Sequence, residues 1–501
     1  MEHKTIQTTI TTGRRAKSSK AMLINPSTGL YIREDRCQTP IQGQGVPIKR
    51  APMDLAMMAA MLEQIKVECK LIDYPVEGGD FSTFEKDLKE FNPDLLILSV
   101  TSPTLPQDLK CATIAKKSGK DIVTLAKGAD FFQSDKRTLE EYPDLDIVIR
   151  GEYEFAVQEI GKGNEWSSVL GVTFRGEDGN PVRNKERPLL ENLDVLPFPA
   201  RHLMKNELYP RPDTGTPTAV ILTQRGCPGE CVYCLVSAVS GKRIHYRSPE
   251  SVVAEIEECV YKHGIRDFFF RADTFTWLKP WVIKLCKLII EKNIKITWVC
   301  NSRVDTLDDE RVEWMKKAGC WLIAFGIESG NQEMLDNMKK YTKLDTARNA
   351  IKICKKHGVK TYNFFVLGLP WESKETALQT MKFAQELDSD FVDFSIAYPF
   401  PGTELWDIVQ DNGLMKSKDI YGFSYDNPVT HTFHLTNNEL VALKKKALMS
   451  YYMRPKYIAR TLWANKSPKI LGNYLKYGFL QMRFFLKLGS NQKDQKTGET
   501  A

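Results

Sequence analysis

Nowhere among the 501 residues do about 18 apolar positions follow one another, the length a helix needs to cross a bilayer. The opening stretch, MEHKTIQTTITTGRRAKSSK, has no apolar centre of the kind a secretory signal carries. Residues 1–20 therefore read as a disordered leader, 490–501 as a disordered tail, and the chain as cytoplasmic. No G-x-G-x-x-G follows the first strand-like segment and no G-x4-G-K-[ST] occurs, which weakens dinucleotide and P-loop readings. None of the seven histidines has metal-ligand spacing; His431 and His434 form an H-x2-H pair without a further ligand nearby and read as loop residues. No RNA-binding module is recognisable, so no nucleic-acid partner is expected.

What is present is an ordinary globular composition, 42% hydrophobic and 27% charged, in a chain long enough for two or three domains. From residue 21 to 160, apolar strands alternate with helical periodicities: AMLIN, then APMDLAMMAAMLEQIK, then VECKLIDYP, then FEKDLKEF before LLILS. That alternation predicts a Rossmann-like parallel sheet whose ligand lies at the strand carboxyl ends. A proline-punctuated connector is expected over 161–210. A second βα series follows over 211–405, with strands at AVILT (219–223), RDFFFRAD, KITWVCNSR, WLIAFGIES, TYNFFVLGLP and DFVDFSIAYPF. Six parallel strands with outer helices predict an α/β partial (β/α)6 barrel of the TIM type, its chemistry at the same end of the strands. Residues 406–489 read as a mostly helical C-terminal region.

Most of the eleven cysteines are scattered singly and read as small buried hydrophobes. Cys227, Cys231 and Cys234 are different: GCPGECVYC spaces them C-x3-C-x2-C directly after a strand. Structural zinc wants four ligands, and no second cysteine or histidine pair sits at suitable spacing. A nucleophile needs one cysteine. Three suit a [4Fe–4S] cluster with one iron left open for a ligand, and Gly226, Pro228 and Gly229 would let the loop wrap it with N–H groups turned to the sulfides.

This spacing resembles that of the radical S-adenosylmethionine (SAM) enzymes, with Tyr233 in the aromatic position before the last cysteine. The resemblance covers about 215–405. It implies that Cys227, Cys231 and Cys234 hold the cluster, that the open iron chelates SAM, and that SAM is cleaved to methionine and a 5′-deoxyadenosyl radical. Four further strand ends fit it. FRADTFT offers Asp273 to the SAM ammonium, and CNSRVD offers Arg303 as a two-pronged clamp on its carboxylate. FGIESG offers Glu328 for the ribose or as the charge partner of Arg303, and LGLPWES offers Gly368 for close approach to the adenine.

The order of the two domains resembles the cobalamin-binding class of radical SAM proteins, which includes radical C-methylases and oxidative cyclases. The matching pieces are LINPS, LSVTSPT, KGADFF, IRGEYEF and LDVLPFPAR. Ser99, Thr101, Ser102, Thr104, Gly128, Gly151 and Glu152 are the implied cobalamin contacts. Relatives often carry histidine near position 130, where this chain has Asp130, and the D-x-H-x-x-G signature is absent; no histidine ligand to cobalt is expected.

The resemblance implies three cofactors: the cluster, SAM and cobalamin. The leading expectation is methylation of an unactivated carbon of a small-molecule, lipid or natural-product substrate. Ring closure or rearrangement without methyl transfer is the alternative. An electron donor such as flavodoxin or ferredoxin is implied. From Leu440 to Ala501, thirteen Lys/Arg stand against two Asp/Glu. That basic, aromatic-rich region either closes the barrel mouth or lies on an anionic membrane surface.

Overall fold

The computed structural model describes residues 18–34, 38, 48–416, 428–464 and 468–487. The expected leader 1–20 lies almost wholly outside these residues, and the expected tail 490–501 entirely so. The chain divides into two compact units, the first made of Met1–Thr28, Pro52–Leu189 and Leu196–Met204, the second of Gly29–Ala51, Leu190–Val195 and Lys205–Ala501.

The first unit is built on strands β1 (Lys20–Asn25), β2 (Glu68–Asp73), β3 (Leu95–Ser99), β4 (Val123–Lys127), β5 (Ile147–Ile149), β6 (Val172–Arg175) and β7 (Pro181–Arg183). Their order is β2-β1-β3-β4-β5-β6-β7, and the first five are parallel. LLILS and VTLAK are buried at every position, which is why they read as unbroken apolar runs rather than alternating ones. β6 and β7 run antiparallel and extend this sheet, so the stretch 161–210 contributes structure as well as connection. Helix Met53–Glu63 is buried along ten of its eleven residues. Its one buried charge, Asp54, is bonded by Lys127 Nζ at 2.6 Å and by the Tyr153 hydroxyl at 2.8 Å. The chain leaves β1 for β2 on one side and returns to β3 on the other. That reversal opens a crevice at the carboxyl ends of β1 and β3.

The second unit holds all six expected barrel strands: β8 (Thr218–Leu222), β11 (Asp267–Arg271), β12 (Thr297–Ser302), β13 (Cys320–Glu328), β14 (Lys360–Leu367) and β15 (Phe391–Ile396). They are parallel, in the order β15-β14-β13-β12-β11-β8, with β8 and β15 as the two edges of an open sheet. Two short strands, β9 (Gln224–Arg225) and β10 (His245–Tyr246), pair antiparallel and pinch off the loop between them. That loop carries the three cysteines.

Between the sheet and its helices lies an aromatic layer. Phe270 stacks on Trp298 at 4.7 Å between centroids and on Phe275 at 5.8 Å, all three fully buried. Helix Asn437–Tyr452 starts with a capping box on Thr436 and Glu439 and runs down the β15 side. Leu440 packs near Gly368 at the carboxyl-end level, while the Tyr451 and Tyr452 hydroxyls bond the Ser389 and Val392 carbonyls at the opposite level. Tyr474 of helix Pro468–Lys487 stacks on Phe391 and lies beside Lys360, both at strand amino ends. The last helix therefore lies at the foot of the barrel, which corrects the expectation that it closes the mouth.

The aromatic layer yields a stability test. Phe270→Ala should lower the unfolding free energy of the second unit by about 3–5 kcal/mol, the usual range for a buried phenylalanine, read as an earlier denaturant midpoint.

Candidate active site

The cysteine loop begins at a glycine that tolerates no substitute. Gly226 has φ +93°, and a Cβ there would run into the Arg243 carbonyl. Its N–H donates to Asp273 Oδ2 at 2.8 Å, so the carboxylate following β11 fixes the start of the loop. The Cys227 N–H donates to the Gly241 carbonyl at 3.1 Å. The Gly229 N–H turns to Cys227 Sγ at 3.4 Å, the orientation expected for a sulfur cage. Farther on, the Val232 N–H donates to the Met338 carbonyl and the Val232 carbonyl accepts from Leu405 N–H.

Gly229 marks the hollow itself. A Cβ on it would lie 3.3 Å from Cys227 Sγ, 3.9 Å from Cys231 Sγ and 3.5 Å from Arg303 Nη1. A side chain would fill the space between two sulfurs and a guanidinium. Burial pushes the Cys234 thiol up to about 12, with Cys231, Asp273 and Cys227 nearby adding to it against one backbone hydrogen bond. A strong positive charge against this sulfur, such as bound iron, would make its thiolate favourable. Among the described residues no three His, Cys, Asp or Glu side chains converge on one ion-sized point. Three thiols on one loop, with Cys227 and Cys231 Sγ bordering a hollow closed by a guanidinium, are a donor set that fits an iron–sulfur cluster.

Arg303, after β12, spends its fork differently from the expectation. Nε and Nη2 donate to Asp305 at 2.9 and 2.7 Å, and Nη2 also reaches the Lys340 carbonyl at 3.0 Å. Burial opposes its charge, but Asp305, Cys231 and Cys227 outweigh it and hold the guanidinium above its ordinary value. Nη1 is the nitrogen that faces Gly229 and the cysteines.

Glu328 is not the partner of Arg303. It sits at φ +70°, where the β13 register shifts, and takes Lys340 Nζ at 2.9 Å in a pair less than a tenth exposed. Tyr233 is bonded to the same carboxylate. Loss of solvent, then the charges of Glu328, Cys231 and Cys234, push its phenol well above the ordinary range. Backbone in a region that costs a non-glycine residue about 1–2 kcal/mol often accompanies a functional site. Lys340 was invisible in the sequence, one lysine of a pair after a short helix.

Gly368 also lies at positive φ, +83°, with Leu440 and Ile396 side chains within 3.3 Å of a would-be Cβ. A turn and a packed helix both require glycine here. Four residues on, Glu372 is buried beneath Thr432 and accepts from the Thr376 hydroxyl at 2.6 Å. Burial pushes its carboxyl up to about 7, against that hydrogen bond and one from the Gly368 N–H.

In the first unit, the candidate residues divide into two kinds. Thr101 and Thr104 are 2.6 Å apart at their hydroxyls. Asp108 takes the Thr104 hydroxyl at 2.6 Å and the Thr101 N–H at 3.2 Å, so these side chains build the loop after β3. A Cβ on Gly128 would lie 2.8 Å from the Val100 carbonyl, so this glycine serves the packing of two neighbouring loops. Gly151, at φ +80°, has open space around it, and Ser99, Ser102 and Glu152 are buried. Burial raises the Asp130 carboxyl, against hydrogen bonds from Ser134, at 2.6 Å, and Ser102. One residue of the matching stretch LINPS was not itself singled out by the sequence. Asn25 ends β1 in the crevice; it is 6% exposed, and its Oδ1 has no hydrogen-bond partner among the described residues. An orphaned buried acceptor at the switch point fits a ligand rich in amide donors, as the side chains of a corrin are.

Sequence comparison agrees with this division. The profile of the Radical SAM superfamily matches residues 221–384 and that of the B12 binding domain matches 49–161. An uncharacterised methyltransferase of Pyrococcus horikoshii is 32% identical over 451 residues, covering 89% of this chain and 95% of its own. The chain belongs to the cobalamin-binding radical SAM family. An anaerobic magnesium-protoporphyrin IX monomethyl ester cyclase of Rubrivivax gelatinosus is 25% identical, covering 80% of this chain and 72% of its own. The cobalamin-dependent SAM radical enzyme OxsB superposes with a TM-score of 0.69 at 14% identity, over 94% of this chain and 72% of its own, and shares the fold. This radical SAM enzyme accordingly has cobalamin, SAM and a [4Fe–4S] cluster as its cofactors.

Gly229→Val should leave the fold intact but cut the iron content after anaerobic reconstitution several-fold, measured by iron and sulfide analysis. Glu372 supplies a pH test. A carboxyl held above its ordinary 4.5 binds more protons folded than unfolded. Its stabilisation is complete below about pH 4.5 and is lost as the pH rises through about 7. Glu372→Gln should therefore gain on the wild type by up to about 3 kcal/mol between pH 5 and pH 8, read from denaturant midpoints.

Proposed function

We propose that the enzyme transfers a methyl group from SAM to an unactivated carbon of a lipid or natural-product substrate. The observation that carries the radical half is the hollow at Gly229, bounded by Cys227 Sγ, Cys231 Sγ and Arg303 Nη1. When bound, the cluster supplies the electron that splits SAM into methionine and a 5′-deoxyadenosyl radical, and cobalamin supplies the methyl group. The chain's own residues hold and orient. Cys227, Cys231 and Cys234 ligate the cluster, and Gly226 and Asp273 set where the loop starts. Asp273 and Arg303 Nη1 would hold the ammonium and carboxylate of SAM, and Glu328 with Tyr233 would serve its ribose. Gly368 carries the backbone past the adenine. In the first unit Asn25, Ser99, Ser102, Gly151 and Glu152 would receive cobalamin, with Asp130 rather than a histidine beside them. Thr101, Thr104 and Gly128 shape that cradle from behind. The likeness to the Rubrivivax cyclase supports a second reading, ring closure with no methyl transfer.

The tail supports a lipid-facing role. No helix among the described residues is long and apolar enough to cross a membrane. Between residues 455 and 487 there are seven Lys/Arg and no Asp/Glu. The same stretch exposes Ile458, Leu462, Trp463, Leu475, Phe479 and Met482, Trp463 to 89%. Cationic helices with exposed aromatic and aliphatic side chains suit the surface of an anionic bilayer. The electron comes from a small reductant protein such as flavodoxin or ferredoxin.

Two measurements test this. With reconstituted enzyme, cobalamin, reductant and methyl-labelled SAM, label should appear in the cobalamin fraction, and turnover should form S-adenosylhomocysteine and 5′-deoxyadenosine together. Deoxyadenosine alone, with no label leaving SAM, would favour the cyclase reading. In flotation assays the enzyme should bind phosphatidylglycerol vesicles but not phosphatidylcholine ones. Trp463→Ala or added salt should weaken that binding several-fold.

A further inference from the structure

The loop between Met338 and Thr342 buries a lysine by unusual means. Lys339 and Tyr341 both sit at positive φ, 54° and 57°, and face outward, while Lys340 between them is 6% exposed. The carboxylate that meets it, Glu328, is itself at φ +70°. Gly326 keeps the space open: a Cβ there would overlap Glu328 Oε1 and lie 3.0 Å from Lys340 Nζ. Three strained residues and an excluded side chain thus converge on one buried ion pair. Apolar groups of similar volume commonly stabilise a fold as well as such a pair does, so its presence calls for another account.

Its position suggests the use. The cysteine loop is bonded to this segment through Val232 N–H and the Met338 carbonyl at 3.1 Å. Arg303, whose Nη1 borders the sulfur hollow, is bonded to the Lys340 carbonyl itself. Glu328 reaches Tyr233, the neighbour of Cys234. Burial opposes the charge on Lys340, but Glu328 first and then Cys231 favour its protonated form, so the ammonium lies within electrostatic reach of that sulfur. The two cations differ in setting. Arg303 is neutralised by a two-pronged bond to a partly exposed Asp305, whereas the Lys340 charge is enclosed, where the field of a charge is least screened.

We infer that Lys340 sets the reduction potential of the cluster held by Cys227, Cys231 and Cys234, its enclosed ammonium favouring the reduced, more negative state. Reduction adds one electron to the cluster, taken in a titration from titanium(III) citrate, which becomes titanium(IV). The ammonium lowers the free energy of the state that carries that electron, and Glu328 both holds the ammonium in place and partly opposes it. This rests on the cluster-binding reading above.

The test is the midpoint potential, followed by electron paramagnetic resonance during a mediated anaerobic titration without SAM. Lys340→Met should shift the reduction equilibrium about tenfold toward the oxidised cluster, 59 mV for one electron. Glu328→Gln should shift it the opposite way. Lys340→Arg should stay near the wild type, and so should the double variant Lys340→Met/Glu328→Gln, which removes both charges. Where Lys340→Met fails to fold, the Glu328→Gln and double variants still decide the matter. A purely structural pair would change cluster occupancy or stability without opposite movements of the potential. Equal potentials in all variants, or shifts of one sign for both single substitutions, overturn the inference while leaving the cluster reading intact. A wild-type chain that assembles no cluster overturns both.

Discussion

The second unit turns on one constraint: a loop of three thiols must be held open at the carboxyl edge of a sheet, though its own segment has few apolar anchors. The clamp is distributed. Asp273 after β11 takes the first N–H, Arg303 after β12 borders the hollow, Met338 accepts from Val232, and Leu405 beyond β15 donates to it. No single bond of this kind contributes more than about 1–3 kcal/mol. Together they leave the loop one geometry, because each comes from a different strand end of a sheet whose register is already fixed by buried apolar rows.

The same edge is balanced electrically. Three thiolates would repel one another and the nearby carboxylates Asp273, Glu328 and Asp305. Arg303 and Lys340 are the cations set among them, each held by a carboxylate of its own. Burial lifts the pKa of the Cys234 thiol, and a bound metal would make its thiolate favourable. Loading and shape are therefore coupled through charge as much as through space.

Much of this was legible in the sequence, for physical reasons. The six strands of the second unit carry buried apolar rows long enough to mark their period, and C-x3-C-x2-C is a local signal independent of tertiary contacts. Partner choice was less legible. Arg303 and Glu328 stand at neighbouring strand ends and look like a pair, yet Asp305, two residues along, and Lys340, in the next loop, reach them first. Thr101 and Thr104 read as ligand hydroxyls because Asp108, which consumes them, lies a helical turn away. Within LINPS, Asn25 did not stand out because an asparagine before proline is an ordinary turn residue; the order of the strands shows that it ends in the crevice.

The bond from Leu405 to Val232 also has a bearing on biosynthesis. The thiols emerge from the ribosome well before the last strand of their sheet, and the final clamp on their loop comes from beyond that strand. A nascent chain therefore exposes the cysteines first and gains the finished socket only after residue 405 has folded back. Thiols exposed before that point are loose rather than set in a shaped receptacle, so the socket takes its final form only once the chain past residue 405 has folded back.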